Sequence, residues 1–253
     1  MSEQEKLKAL VHKQSKHSDY QALHPWISSI VPKDDYRPSG KVESQRQNYM
    51  NTRYDFSRKK ILDIGANTGY FSFGALQAGA AHVVAYEGNP EHAEFIAEAG
   101  KIIDLQDKLS VRSTYFDFSA LTSEIFDAGL CLNVLHHLGD DFGDPSLNVD
   151  EAKREITAAI QALNQSCDTL WFQIGFNWRG DKTTPLFNTG TKQELINFVE
   201  NACKNSWNIE NIGIFNPETS LYEPSTPALL QRFDVLGEFL NRPIFLMKKH
   251  RVY

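Results

Sequence analysis

Two adjacent histidines, His136 and His137, close the segment Asn133-Val134-Leu135-His136-His137-Leu138. A neutral imidazole can take the proton of a hydroxyl nucleophile, an effect of about 10²–10⁴-fold on a rate. The plainer use of one of them is packing. Three carboxylates stand upstream: Asp63 in ILDIGANTG (61–69), Glu87 at the end of HVVAYE (82–87) and Asp117 in YFDF (115–118). A carboxylate only accepts hydrogen bonds, so both hydroxyls of a ribose could donate to Glu87. Asp117 lies between two aromatics and could accept from the exocyclic amine of an adenine while Phe116 or Phe118 packs on the base. Gly65 and Gly69 can take positive φ and leave no side chain between backbone and ligand. Asp63 can engage a polar ligand group.

These residues need elements to hold them. From Lys60 onward short apolar runs alternate with longer helical ones, the pattern of βαβ units and a parallel sheet. The spacing predicts strands over 60–65, 82–87, 109–114, 128–133 and 169–175, with helices over 69–79, 90–101, 119–124 and 150–164. A helix over 192–205 and a terminal strand pair, 208–216 and 242–249, complete a doubly wound, Rossmann-like α/β fold with a seven-stranded, mostly parallel sheet. In such sheets ligands bind outside the carboxyl ends of the strands. Asp63, Glu87, Asp117 and Asn133 fall at or just beyond four successive ends. Residues 1–56 read as a mostly helical N-terminal cap, including one polar-faced helix over 42–56, and residues 57–253 as the sheet domain with an insertion at 217–241.

With these residues the sequence resembles the class I S-adenosylmethionine-dependent methyltransferases from about Lys60 to Ile174, and more loosely to the end. The resemblance implies that Asp63, Gly65 and Gly69 face the methionine part of the cofactor, that Glu87 holds the ribose and that Asp117 with Phe118 meets the adenine. Asn67 stands where the family often has a glycine, and asparagine tolerates unusual backbone angles better than most residues. Asn133 could bond the cofactor or the acceptor. A dinucleotide fingerprint starting at Gly65 would need glycines at 67 and 70, which are Asn67 and Tyr70. The resemblance implies S-adenosyl-L-methionine as cofactor and places His136 and His137 on the acceptor side, near the methyl group.

Three segments outside that stretch could choose the acceptor. The helix over 42–56 offers Arg46, Tyr49 and Arg53; the two arginines are seven apart and predicted on one face, where they could hold a carboxylate or phosphate. The loop 175–190 carries Trp178, Arg179 and Phe187, suited to a sugar ring. The insertion carries Tyr222, Arg232 and Phe233 and is longer than a turn needs. Asp140, Asp141 and Asp144 read as solvated loop charges with no metal implied, because Gln173-Ile174-Gly175-Phe176-Asn177 supplies no matching acid. No Asn/Asp-Pro-Pro-Tyr/Phe run follows the fourth strand, which weakens amino-methylation of DNA or glutamine.

Charge narrows the partners. Residues 1–60 hold 12 Lys and Arg against 7 Asp and Glu; the remainder holds 14 against 25, a net −11. Such a body argues against broad capture of nucleic acid, which depends on cationic phosphate contacts. Cys131, Cys167 and Cys203 lack metal or disulfide spacing and read as reduced packing residues. Neither a membrane span nor a secretory leader is predicted, which makes the cytoplasm the default. The expectation is O-methylation of a small polar acceptor such as a saccharide or metabolite hydroxyl. The alternatives are a tRNA-modifying methyltransferase and a cofactor-binding subunit without turnover.

Overall fold

A computed structural model describes residues 3–11, 21–31, 42–120, 124–231 and 233–250. It contains two compact units, Met1–Phe116 and Asp117–Tyr253.

In the first unit β1 (Lys60–Ile64), β2 (His82–Tyr86) and β3 (Leu109–Arg112) pair in parallel, with β2 in the middle, in the registers Lys60 on His82 and Val83 on Leu109. From Ile61 on, β1 is buried at every position, and Val83, Val84 and Ala85 of β2 are buried as well. Parallel strands covered on both faces read in this way as apolar runs without alternation. Asp63 is the polar exception. Helix α4 (Tyr70–Gln77) is almost wholly buried because other chain segments cover it. A methyl group on Gly74 would overlap Gln47 of α3 (Glu43–Asn51), so the glycine permits that close approach. Helix α5 (Pro90–Ile102) starts on Asn89, whose side chain accepts from the Glu91 and His92 amides, with proline at its first position. Helix α1 (Glu3–Val11) pairs Lys6 with Glu94 at 2.7 Å and with Glu98 at 3.2 Å on α5. The short helix α2 (Pro25–Ser28) is capped by the buried His24, whose ring meets Tyr70 edge-on.

In the second unit β4 (Phe126–Leu132) pairs in parallel with β5 (Cys167–Gln173). Helix α6 (Val149–Ala162) connects them and starts with a capping box of Asn148 and Glu151. Helix α7 (Lys192–Ala202), capped by Thr191, leads to three antiparallel strands. β8 (Ile244–Lys249) pairs with β5 on one side and with β6 (Trp207–Asn216) on the other, and β7 (Leu221–Pro224) pairs with β6. Helix α8 (Gly237–Leu240) precedes β8.

The fold is the α/β class expected, with three corrections. The described strands number eight rather than seven, because the insertion folds back as β7 to pair with β6. Ser119 and Ala120 form no helix; they close a turn on Asp117, and residues 121–123 of the helix expected there lie outside the described residues. Helix α3 stops at Asn51 instead of running to 56, so Arg53 lies past its end and does not continue the face of Arg46. Arg232 also lies outside the described residues.

Candidate active site

The first unit brings five of the expected cofactor residues together. Gly65, Asn67 and Gly69 all have positive φ, at 70°, 54° and 81°. Asn67 thus takes the left-handed conformation that asparagine tolerates, and its amide donates to Glu87 Oε2 at 2.6 Å. Glu87 Oε1 accepts from the Asn89 amide at 2.8 Å. Two backbone donors therefore aim the carboxylate, and a carboxylate oxygen can accept more than one hydrogen bond. Gly69 starts α4, and a methyl there would lie 2.9 Å from Phe73 and 3.2 Å from Ile96, so only glycine fits.

Asp63 accepts from Ser72 Oγ at 2.6 Å and is 4% exposed. Burial pushes its carboxyl up to about 7; the Ser72 hydrogen bond acts in the opposite direction, and the charge of Glu87 adds to the rise. A carboxyl raised in the folded state contributes stability below the ordinary carboxylate range and loses it as pH rises through about 7. In thermal melts the wild type should therefore lose stability across that window, whereas Asp63→Asn should flatten the profile. An unchanged profile would exclude a buried acid titrating there.

Sequence reading missed Gln21. Its Oε1 accepts from Thr68 Oγ1 at 3.0 Å and from the Tyr70 amide at 3.1 Å, supplying the cap that Gly69 cannot. Of the three α3-region candidates, Arg46 and Tyr49 are buried and Arg53 is half-buried. Arg46 is buried, bonds Glu43 at 3.2 Å and lies 4.9 Å from the Phe71 ring centre. Arg53 stacks on Tyr49 at 3.7 Å. Burial pushes the Tyr49 hydroxyl up to about 12.

In the second unit Asp117 Oδ1 accepts from Ser119 Oγ, the Ser119 amide and the Ala120 amide, and the Ser119 bonds hold its carboxyl below the usual range. The Phe118 ring lies 5.9 Å from that of Phe142. Asn133, at φ 63°, stands in a network that was not foreseen. Its Nδ2 donates to Gln173 Oε1 at 2.9 Å and its Oδ1 accepts from Arg242 Nη1 at 2.9 Å. Gln173 Nε2 donates to the Arg242 carbonyl at 3.0 Å and reaches the Tyr222 hydroxyl at 3.5 Å. Arg242 also pairs with Glu238, which accepts from the Phe176 amide at 2.7 Å.

The two histidines differ in environment. His136 is buried; its Nδ1 accepts from the Gly175 amide at 3.3 Å, and its ring centre is 4.2 Å from that of His137. His137 retains 14% side-chain exposure, and its Nδ1 stands 3.4 Å from Asp141 and 3.9 Å from Asp140. Candidate ligand atoms of these three residues lie within 4.8 Å of one another. That spacing suits an imidazole–carboxylate pair as well as a cation. The loop after β5 packs beside them. Trp178 Nε1 donates to the Leu138 carbonyl at 2.6 Å, Arg179 Nη2 donates to the Pro145 carbonyl at 2.7 Å, and the Arg179 guanidinium lies over the Trp178 ring at 4.1 Å. A methyl on Gly180 would lie 3.4 Å from the His137 ring.

Residues 62–157 match the model of the methyltransferase domain family. No curated protein matches the chain. Among solved structures, PH1948 from Pyrococcus horikoshii, provisionally assigned as an RNA methyltransferase, superposes with a TM-score of 0.51 at 17% identity, over 97% of this chain and 98% of that one. The bifunctional kinase-methyltransferase WbdD superposes with a TM-score of 0.61 at 16% identity; 98% of this chain covers 47% of WbdD. A Listeria monocytogenes protein, provisionally assigned as an S-adenosylmethionine dependent methyltransferase, gives 0.52 at 13% identity, over 83% of this chain and all of that one. At these identities the superpositions speak for the fold, and the family model speaks for the domain that carries Asp63, Glu87, Asn133 and His137. Residues 62–157 thus match a methyltransferase domain, and the fold is the one that these solved structures share.

Proposed function

We propose that this methyltransferase acts on a hydroxyl of a small polar acceptor, of the saccharide or metabolite class, and that His137 is the base. The observation that carries the reading is the setting of His137, with carboxylates on its Nδ1 side and the Trp178–Arg179 loop beside its ring. A carboxylate near Nδ1 favours the tautomer protonated there and leaves Nε2 basic. Nε2 takes the acceptor hydroxyl's proton as the oxygen attacks, while the aromatic loop orients the acceptor and excludes water; alignment alone can supply about 7–11 kcal/mol. Bound S-adenosylmethionine supplies a methyl group already activated by its sulfonium. The residues proposed to hold it are Asp63, Gly65, Asn67, Gly69, Glu87, Asp117 and Phe118. The paired carboxylate oxygens of Glu87 and the side-chain-free turn of Gly65 and Gly69 suit a ribose and a closely approaching ligand.

Asn133, Trp178, Arg179 and Tyr222 are proposed on the acceptor side. The burial of Arg46 and Tyr49, with Arg53 stacked on the Tyr49 ring, supports a part for them in shaping residues 1–56, proposed as a cap, rather than in touching substrate. Among the described residues no helix is long and apolar enough to cross a membrane, and we place the enzyme in the cytoplasm.

The likeness to PH1948 raises RNA as the alternative acceptor, but the net −11 of residues 61–253 opposes it. Incubating the enzyme with radiolabelled S-adenosylmethionine and fractionated lysate should put label into small molecules or glycans. Label in RNA or protein would overturn the proposal.

A further inference from the structure

We infer that Glu238 and Arg242, which lie just before β8, are positioning residues that hold His137 in place by locking the turns after β4 and β5, a role that rests on His137 as the base. His137 ends a single three-residue 3₁₀ turn, Leu135–His137, and the hydrogen bonds of such a turn are poorly aligned. Contacts from outside must therefore hold the segment. The Trp178 indole fixes Leu138 at one end. Arg242 Nη1 fixes Asn133, where the segment leaves β4, at 2.9 Å.

The same guanidinium also reaches the middle of the segment. A methyl built on Gly175 would lie 3.0 Å from Arg242 Nη2 and 2.8 Å from the His136 ring, so the cation and the imidazole both pack on that peptide. The Gly175 amide in turn donates to His136 Nδ1, and the His136 ring centre is 4.2 Å from that of His137. Glu238 completes the clamp. It pairs with two nitrogens of Arg242 and accepts from the next amide, that of Phe176, at 2.7 Å. The two side chains are only 5% and 19% exposed, so solvent screens the pair little. An arginine suits this use because its planar fork fixes direction as well as charge. The precision matters to a base, since a displacement of about 1 Å can cost about 100-fold in rate.

The test measures transfer from radiolabelled S-adenosylmethionine to the lysate fraction that the wild type labels, using the full chain with and without the His137 imidazole. Glu238→Ala should lower the rate about 10–100-fold, while the calorimetric Kd of S-adenosylhomocysteine should stay within about twofold. In a His137→Ala background the same substitution should change the residual rate by about twofold at most, because a residue that acts through His137 has nothing left to position. Arg242→Lys keeps the charge but not the fork and should show the same pattern; it carries the test if Glu238→Ala does not melt as a folded protein. A wild-type rate in both variants would overturn the clamp, as would an equal loss in the two backgrounds, the mark of a general structural role. The single His137→Ala variant separates the two layers. If it transfers as fast as the wild type, the base itself is rejected; if it is slow while Glu238→Ala and Arg242→Lys are fast, the clamp alone is rejected.

Discussion

Replacing His137 with alanine should lower the rate of methyl transfer by about 10²–10⁴-fold, the range for removal of a positioned general base. Binding of S-adenosylhomocysteine should change little, because the ring's observed neighbours are Asp140, Asp141, His136 and the backbone near Gly180. Single-turnover measurements at saturating cofactor would separate chemistry from binding. A rate close to wild type would remove His137 as base and with it the hydroxyl acceptor. The same experiment on His136 should read differently. That ring is buried and accepts from the Gly175 amide, so His136→Ala opens a cavity where β4 and β5 end and should appear first as lost stability.

The second large effect falls on the cofactor. Glu87→Ala should weaken S-adenosylmethionine binding by about 1–3 kcal/mol through loss of charged hydrogen bonds. The substitution also strips the Asn67 and Asn89 amides of their acceptor. Asn67 holds φ 54° in the turn between Gly65 and Gly69, so the turn and the ribose acid should loosen together. Glu87→Gln keeps one acceptor oxygen and should recover part of the affinity. Calorimetry on the three proteins tests this order, and equal affinity across them would reject the ribose site.

The strands and the polar residues at their ends were largely legible from sequence because the signal is local. An apolar run followed by an acid or glycine states both the strand and where it ends, as at Asp63 and Glu87. The cap of α5 was equally local, with Asn89-Pro90 at its start. What escaped depends on partners far along the chain. Gln21 reaches Thr68 from 47 residues away, and Arg242 reaches Asn133 from 109. Nothing beside Gln21 or Arg242 announces such a partner. Strand β7 escaped for a related reason: four residues, of which only Tyr222 is buried, carry too weak an alternation to stand out. The pairing of Arg46 and Arg53 failed on geometry, since a shared face requires the helix to continue and it ends at Asn51.

The double acceptance by Gln21 has a thermodynamic consequence. One amide oxygen joins the segment before α2 to Thr68 in the turn and to the first amide of α4. The order of that segment and the order of the turn are therefore linked equilibria, and linkage is reciprocal. A ligand that steadies the turn must steady the segment by the same free energy. Loading with cofactor should accordingly slow amide hydrogen exchange around Gln21, at residues that need not touch the ligand.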